Sequence, residues 1–485
     1  MYHALLSLSC VFSSGLALSP SSLASSRHTR DILSVAGTRR RRSGRCKRTQ
    51  AEAYARAKPS QRARREKPLL SRSLSLFLLS SSPHREKGDE KSRPTRHATR
   101  GTRAPDPAPR RARQVFDDFP VREGVGGGGG GDHCDVVDGE WVRDDDDDER
   151  RPLYEPRRCP FVDEGFRCRE NGRPDDAFAM WRWQPRHCTL PRFDAKNLLE
   201  TLRNRRLVFV GDSIGRNQWE SMLCMLATGV AGAGDGDGGG DKAAPIYEVN
   251  GSPITKHEGA LSFRFRDYNC TVEHYRSPYL VRRGRRPPRR AVSSTLQLDA
   301  MDARAHRWKD ADVVVFNTGH WWSRERLQQL RCNFQVGKKL NLNMSIEAAY
   351  QRAMNTLTSW VHREVNPHKS LVIFRTYSPA HTRASSNGGC AKETTPELNS
   401  SRISLHRWPG MVNPAFEPSK SGTAAAKLHL LNITLMAAQR RDGHPSVYNV
   451  AAAAGQRADC SHWCLPGVPD AWNELLYAMI VKRFS

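Results

Sequence analysis

Three short apolar runs stand out along an otherwise polar chain. Leu207-Val-Phe-Val210 lies between Arg205-Arg206 and Gly211, and Asp312-Val-Val-Val-Phe316 and Ser370-Leu-Val-Ile-Phe374 share its texture. Such runs, rich in β-branched residues and bounded by polar residues or glycine, predict strands buried on both faces. Between the second and third, Ser345 to Val361 carries Ile346, Ala349, Tyr350, Ala353, Leu357 and Trp360 at helical spacing. This predicts a helix with one apolar side. Another helix is predicted after Gly211-Asp-Ser213, with Trp219, Met222, Leu223 and Leu226 on its stripe. Strands of this kind alternating with helices predict an α/β domain whose parallel sheet is covered by helices. The pattern has no obvious second copy, which argues for one such sheet plus a smaller, irregular lobe tied by disulfides.

No such pattern precedes Cys134. Residues 1–113 hold 26 Lys and Arg against 7 Asp and Glu, so +19 of the formal net charge of +26 sits there. The stretch is rich in Ser, Arg and Pro and nearly devoid of aromatics. It reads as a disordered basic tail and argues against nucleic-acid binding, which would interleave basic and aromatic residues on a folded face. Residues 114–133 form a Gly-rich linker containing six consecutive glycines, Gly126 to Gly131. Folded sequence is expected over 134–485, as a Cys/Trp-rich segment (134–195) followed by a core (196–485). Asp144 to Asp148 reads as a solvated acidic loop, and Gly229 to Asp241 as an inserted loop. Trp181, Trp183 and Trp219 read as packing residues rather than sugar-stacking ones.

Apart from Cys10 and Cys46, ten cysteines are spread over the region from Cys134 to Cys464. Only Cys460 and Cys464 are closely spaced, and no second such pair accompanies them. Disulfides therefore fit better than zinc, and no metal is expected. Asn-x-Ser/Thr sequons at Asn250, Asn269, Asn343, Asn399 and Asn432 point the same way, to a lumenal or extracellular compartment. Leu5 to Leu18 and Leu74 to Leu79 are apolar, but both are shorter than the ~20 residues of a spanning helix. The Ser/Arg-rich, acid-poor start also has the texture of a transit peptide.

The chemistry-bearing residues lie at the ends of the predicted strands. The first strand runs into Gly211-Asp212-Ser213 and a helix. This places Ser213 at the carboxyl edge of the sheet, where open α/β sheets bind ligands. The N–H groups at the helix start would stabilise an oxyanion beside it. The structural alternative is a simple helix cap, since Asp and Ser are favoured there. A serine nucleophile needs a base and the base an orienting group. Asp459-Cys-Ser-His462 supplies both on one turn, and a disulfide from Cys460 or Cys464 to an earlier segment would pin that loop. The alternative is a capping Asp and a surface His. The second strand ends in Phe316-Asn-Thr-Gly-His-Trp-Trp322 at the same edge. Asn317 is a candidate oxyanion donor, and His320, Trp321 and Trp322 are candidates for lining an acceptor site. Here the alternative is a turn with buried tryptophans.

Gly211-Asp-Ser213, Asn317 and Asp459-x-x-His462 resemble the blocks of GDSL/SGNH-type hydrolases. The surrounding text resembles the plant trichome-birefringence-like proteins more closely. It includes Cys134-Asp-Val-Val-Asp-Gly-Glu-Trp-Val142, Val210-Gly-Asp-Ser-Ile-Gly-Arg-Asn-Gln-Trp-Glu-Ser221, Asp442-Gly-His-Pro-Ser446 and the stretch from Asp459 to Leu476. The likeness spans about Cys134 to Phe484. It implies a three-layer α/β/α fold, Golgi membrane residence with a lumenal catalytic domain, and O-acetylation of cell-wall polysaccharide. It further implies Ser213 as acyl nucleophile, His462 as base and then acid, and Asp459 as its orienting partner. Asn317, beside Gly211 and Asp212, would help form the oxyanion hole. No tightly bound cofactor is implied. An acetyl donor, acetyl-CoA or another carrier, would enter as substrate, and no P-loop or dinucleotide fingerprint is present. Membrane association would run through the N-terminal region, where the family's signal-anchor helix is not evident.

Two rival functions share these residues. An acetyl esterase would use the same triad with water as acceptor. A non-catalytic polysaccharide-binding protein would keep the fold and tryptophans, but an intact Ser213, His462 and Asp459 weighs against it. Xylan, pectin, xyloglucan and mannan all remain candidate acceptors.

Overall fold

The computed structural model describes residues 115–116, 134–144, 151–230, 244–254, 259–285, 294–330, 332–382, 389–391, 393–405, 409–412, 428–450 and 458–484. All fall in one unit, Thr102–Ser485. The basic tail, the glycine run, residues 145–148 of the acidic run and residues 231–241 of the inserted loop lie outside the described residues.

In chain order, β1 (Val115–Phe116) pairs with β2 (Cys134–Asp135), and β3 (Gly139–Arg143) pairs antiparallel with β4 (Trp181–Pro185). Helix α1 (Ala195–Thr201) leads to β5 (Arg206–Gly211) and α2 (Ser213–Ala227). Then follow β6 (Ile246–Glu248), β7 (Ala260–Phe265), β8 (Cys270–Arg276), β9 (Val281–Arg285), β10 (Ser294–Met301) and β11 (Val313–Asn317). Next come α3 (Arg324–Gln329), β12 (Cys332–Val336), β13 (Lys339–Asn341), α4 (Ile346–Glu364) and β14 (Leu371–Arg375). The chain closes with α5 (Pro409–Val412), β15 (Leu428–Leu431), α6 (Thr434–Ala438) and α7 (Val468–Phe484).

The main sheet has the order β15-β14-β11-β5-β8-β7-β6. From β15 to β8 all neighbours run parallel, while β7 and β6 add antiparallel at one edge. The three predicted strands are its centre, and strict alternation divides their side chains between two cores. Leu207, Phe209, Val313, Val315, Leu371 and Ile373 pack on one face with α1, α2 and α7. Val208, Val210, Val314, Phe316, Val372 and Phe374 pack on the other with α4. Helices on both faces of the sheet make the expected α/β/α layering.

Three expectations change. A second, four-stranded sheet, β13-β12-β10-β9, lies on the α4 side and supplies Leu296, Leu298 and Phe334 to that core. Its strands were not legible because β9, β12 and β13 have few apolar positions and the β9–β10 register is irregular. Helix α2 has more than an apolar stripe: from Gly211 to Leu226 every residue except Ser213 is buried, including Arg216, Asn217, Gln218, Glu220 and Ser221. Asp144, read as part of a solvated run, is buried and ion-paired with Arg151, Arg182 and Arg192.

Most polar groups of α2 find partners across the core, as burial demands, although Gln218 Oε1 has none among the described residues. Ser221 Oγ donates to Asp470 Oδ1 at 2.5 Å, Tyr154 donates to the same oxygen at 3.1 Å, and Gln218 Nε2 donates to Asn473 at 3.2 Å. Glu220 accepts from Arg216 and from the Asp163 N–H. Burial pushes the Glu220 carboxyl up to about 7 against the pull of Arg216, and Asp470 up to about 6 against its hydrogen-bond donors. The segment before α1 belongs to this same core: Trp141, Trp183 and Phe166 are buried in it, beside Trp219 of α2.

Candidate active site

Strand β5 ends at Gly211, and Asp212 turns the chain into α2. The Asp212 carboxylate caps the helix, with Oδ1 accepting from the Ile214 N–H at 3.0 Å and the Gly215 N–H at 3.4 Å. It also accepts from Asn317 Nδ2, at the end of neighbouring β11, at 2.6 Å. A Cβ on either Gly211 or Gly215 would collide with the Asn317 amide oxygen, so both glycines are required by that close approach. Gly215 was not singled out in the sequence, because its reason lies on another strand. Nearby, the buried Arg375 guanidinium lies over Trp472; burial lowers its pKa to about 10 and the Asp212 charge opposes that. The cap reading of Gly-Asp-Ser is therefore correct for Asp212. It leaves Ser213 as the one accessible residue between Gly211 and Leu226.

His462 meets that serine. Ser213 Oγ donates to His462 Nε2 at 2.8 Å, and His462 Nδ1 donates to Asp459 Oδ2 at 2.7 Å. Asp459 Oδ1 accepts from the Ser461 and His462 N–H groups at 3.0 and 3.1 Å. Burial raises the Asp459 pKa, but the adjacent imidazole and these donors more than offset it and hold the carboxyl well below its usual value. The group is ionised and fixes the tautomer that leaves Nε2 free to take a proton.

The loop that carries Asp459 and His462 has little regular structure, yet it is tied at many points. Disulfides Cys390–Cys460 and Cys168–Cys464 bracket His462. Both bracketing cysteines reach earlier segments, as anticipated for one of them. Cys159–Cys224 joins the N-terminal segment to α2. Cys270 and Cys332, in contrast, are free thiols. Asn217, one turn along α2 from Ser213, grips the main chain of Trp463: Oδ1 accepts from its N–H at 2.7 Å and Nδ2 donates to its carbonyl at 3.1 Å. Phe166 lies against the His462 ring with centroids 5.3 Å apart.

The remaining candidates are placed as follows. His320 Nε2 lies 2.7 Å from the Ser378 carbonyl, and its ring rests on Tyr377 at 4.8 Å. Trp321 is partly exposed between the Arg276 and Arg326 guanidinium groups, 5.0 and 5.2 Å from its ring. Trp322 cannot line an acceptor site. It is fully buried, with Nε1 donating to Thr318 Oγ1 at 2.9 Å. Of the sequons, Asn250, Asn269, Asn343 and Asn399 are exposed, but Asn432 is buried and accepts from Thr376 Oγ1 at 3.2 Å. Among the described residues no three His, Cys, Asp or Glu side chains gather to hold a metal, and no helix is long and apolar enough to cross a membrane.

Residues 190–479 match the GDSL/SGNH-like acyl-esterase family found in Pmr5 and Cas1p, and residues 132–189 match the Pmr5 N-terminal domain. The chain is similar to Arabidopsis thaliana trichome birefringence-like 7, at 43% identity over 73% of this chain and 75% of that protein. It is likewise similar to trichome birefringence-like 9 of the same plant, at 42% identity over 72% and 84% respectively. The Arabidopsis trichome birefringence protein is 40% identical over 73% of this chain and 57% of its own length.

Proposed function

Because the chain belongs to the trichome-birefringence-like family, with its acyl-esterase domain, we propose that it is an O-acetyltransferase that esterifies hydroxyls of a plant cell-wall polysaccharide through a Ser213 acyl-enzyme. The observation that carries this reading is the continuous relay from Asp459 Oδ2 through His462 to Ser213 Oγ.

In the first half-reaction Ser213 Oγ attacks the acetyl carbonyl of the donor while His462 Nε2 takes its proton. The bond to the leaving group breaks, and His462 returns the proton to that group. In the second, a sugar hydroxyl gives its proton to His462, its oxygen attacks the acyl carbon, and Ser213 leaves reprotonated. The Ser213 N–H at the helix start and the second amide hydrogen of Asn317 are the proposed oxyanion donors. The donor, acetyl-CoA or another acetyl carrier, is a substrate, and no tightly bound cofactor enters the scheme. The disulfides and the exposed sequons support a lumenal catalytic domain, in keeping with Golgi residence and anchoring through the N-terminal region. The rival reading replaces the sugar hydroxyl with water, which gives a carbohydrate acetyl esterase with the same triad.

The test is incubation of the full chain, made in a glycosylating host, with an acetyl donor and a panel of deacetylated wall glycans. Acetylated glycan and free acetate are both quantified by mass spectrometry. The transferase reading expects acetylated glycan that falls by about 10⁴-fold or more in Ser213→Ala. Serine-dependent acetate release with no acetylated glycan supports the esterase instead.

A further inference from the structure

A pair of imidazoles lies behind the catalytic histidine and takes no direct part in the acyl transfer. His381 Nδ1 and His444 Nε2 are 2.7 Å apart, and both residues are buried. The outer nitrogen of each ring faces a main-chain carbonyl: His381 Nε2 is 2.9 Å from Ala438 O, and His444 Nδ1 is 2.6 Å from His462 O. A carbonyl oxygen only accepts, so both outer nitrogens carry hydrogen. A neutral imidazole has a single N–H. Two neutral rings would then turn bare lone pairs toward each other at hydrogen-bonding distance, where repulsion replaces attraction. The contact needs a third hydrogen between the rings.

We infer that His381 and His444 share one excess proton as a buried imidazole–imidazolium pair, and that this pair positions His462. The positioning half rests on the triad reading above; the shared proton does not. The pair is tied to the catalytic loop at two points. His444 holds the His462 carbonyl, and the main-chain N–H of His381 donates to Cys460 O at 2.8 Å. Trp463 stacks on His444 with centroids 4.0 Å apart.

The charges around the pair act in both directions. Asp459 faces it from the catalytic loop, and Asp442, already bonded to Arg440, from the turn after α6; both favour the proton. Arg441 opposes it, as does Arg173, paired with Asp175, which donates to the His444 carbonyl at 3.2 Å. Protonated His462 opposes it too. Burial itself pushes His444 well below the usual imidazole value and His381 down to about 4. Against burial stands the short contact: losing the proton forfeits a charge-assisted hydrogen bond and leaves two lone pairs in opposition. A metal ion is a poor substitute. Two nitrogens each ~2.0–2.1 Å from one tetrahedral zinc lie farther apart than this, and among the described residues no third ligand joins them.

The shared charge also bears on catalysis. A positive charge behind His462 disfavours a second one on its ring and keeps that ring ready as a base.

The test is nuclear magnetic resonance of the full chain labelled with ¹⁵N-histidine. The expected result is one far-downfield proton coupled to nitrogens of two different rings, present at the pH of maximal activity. His381→Gln and His444→Asn remove it, although each amide reproduces the N–H that meets the carbonyl. In either variant the acid limb of kcat/KM, which reports His462 in the free enzyme, moves up by about one pH unit as the neighbouring positive charge disappears. Two neutral rings with no bridging proton overturn the inference. Stoichiometric metal in the purified chain, lost together with the pair's signature on chelation, overturns it as well. A bridging proton with an unmoved acid limb removes the positioning role and leaves the shared proton. Full activity in Ser213→Ala would sink the triad reading while leaving the proton assignment intact. If the variants do not fold, the spectrum of the unmodified chain decides.

Discussion

Ser213 and His462 are brought to the same point by opposite means. The serine sits between a central strand and a helix, and regular backbone hydrogen bonds on both sides fix its position. The histidine sits on a loop with almost no regular structure, held by two disulfides, Asn217, the His444 bond and Phe166. The side that carries the proposed nucleophile gets its accuracy from secondary structure, and the side that carries the proposed base gets it from cross-links and side-chain hydrogen bonds. A relay of two hydrogen bonds tolerates little error, and misplacement by an ångström can cost about 10²-fold. The two sides should therefore fail differently when perturbed.

Electrostatics repeats the contrast. On the base side Asp459 is held ionised, whereas on the helix side Asp470 and Glu220 are pushed up by burial.

The largest expected effect tests the base side without touching its restraints. Asp459→Asn should lower kcat by about 10³–10⁴-fold, because the amide no longer holds the productive tautomer, while far-ultraviolet dichroism stays unchanged. Removing a restraint comes next. Cys168→Ala with Cys464→Ala should cost about 2–5 kcal/mol in denaturant unfolding and reduce kcat, because the loop loses its tie to the N-terminal segment. On the nucleophile side, Gly215→Ala should cost about 1–3 kcal/mol by displacing Asn317, with activity lost through the oxyanion donors and the base unaffected. Asn217→Ala links the two sides. It strands the buried N–H and carbonyl of Trp463 and should cost about 1–3 kcal/mol, with kcat falling more than KM rises.

The smallest effect is in pH. Glu220 at about 7 and Asp470 at about 6 lie above their unfolded values of ~4.3 and ~3.9. The folded state thus holds these protons to higher pH than the unfolded chain. Their stabilisation is present below about pH 4 and lost as pH rises through 6–7. Asp459 runs the other way, since its depressed value contributes stability above about pH 4 that is lost on further acidification. Buried His274, held down to about 3, acts in the opposite direction, so the check is a comparison: from pH 5 to pH 8 the thermal midpoint of Asp470→Asn should shift further in favour of pH 8 than that of the unmodified chain.

Much of the nucleophile side was legible in the residues themselves. The three central strands and α4 follow from short-range hydrophobic pattern and were correct to within a residue or two at most ends. Ser213 followed from the strand, the glycine and the helix after it. On the base side, Asp459 and His462 were legible only as a spacing, Asn217 and His444 stood inside recognised strings without a role, and His381 was not singled out at all. Trp322 and Asn432 show the same limit. An aromatic after a strand and a sequon are local signals, and burial of either is decided by segments far away in the chain.

What the amino-acid sequence determined alone is therefore what depends on near neighbours: the buried strands, the amphipathic α4, the Asp cap before α2, and the turn that joins Asp459 to His462. Tertiary structure alone decided which cysteines pair and which stay thiols. It also decided that Gly211 and Gly215 must be glycine, that the polar residues of α2 find partners on α7, and that two histidines 63 positions apart face each other behind a third. The physical reason is range. Periodicity and capping act over a turn or two, whereas cross-links, buried polar pairs and close backbone approaches exist only once distant segments have packed.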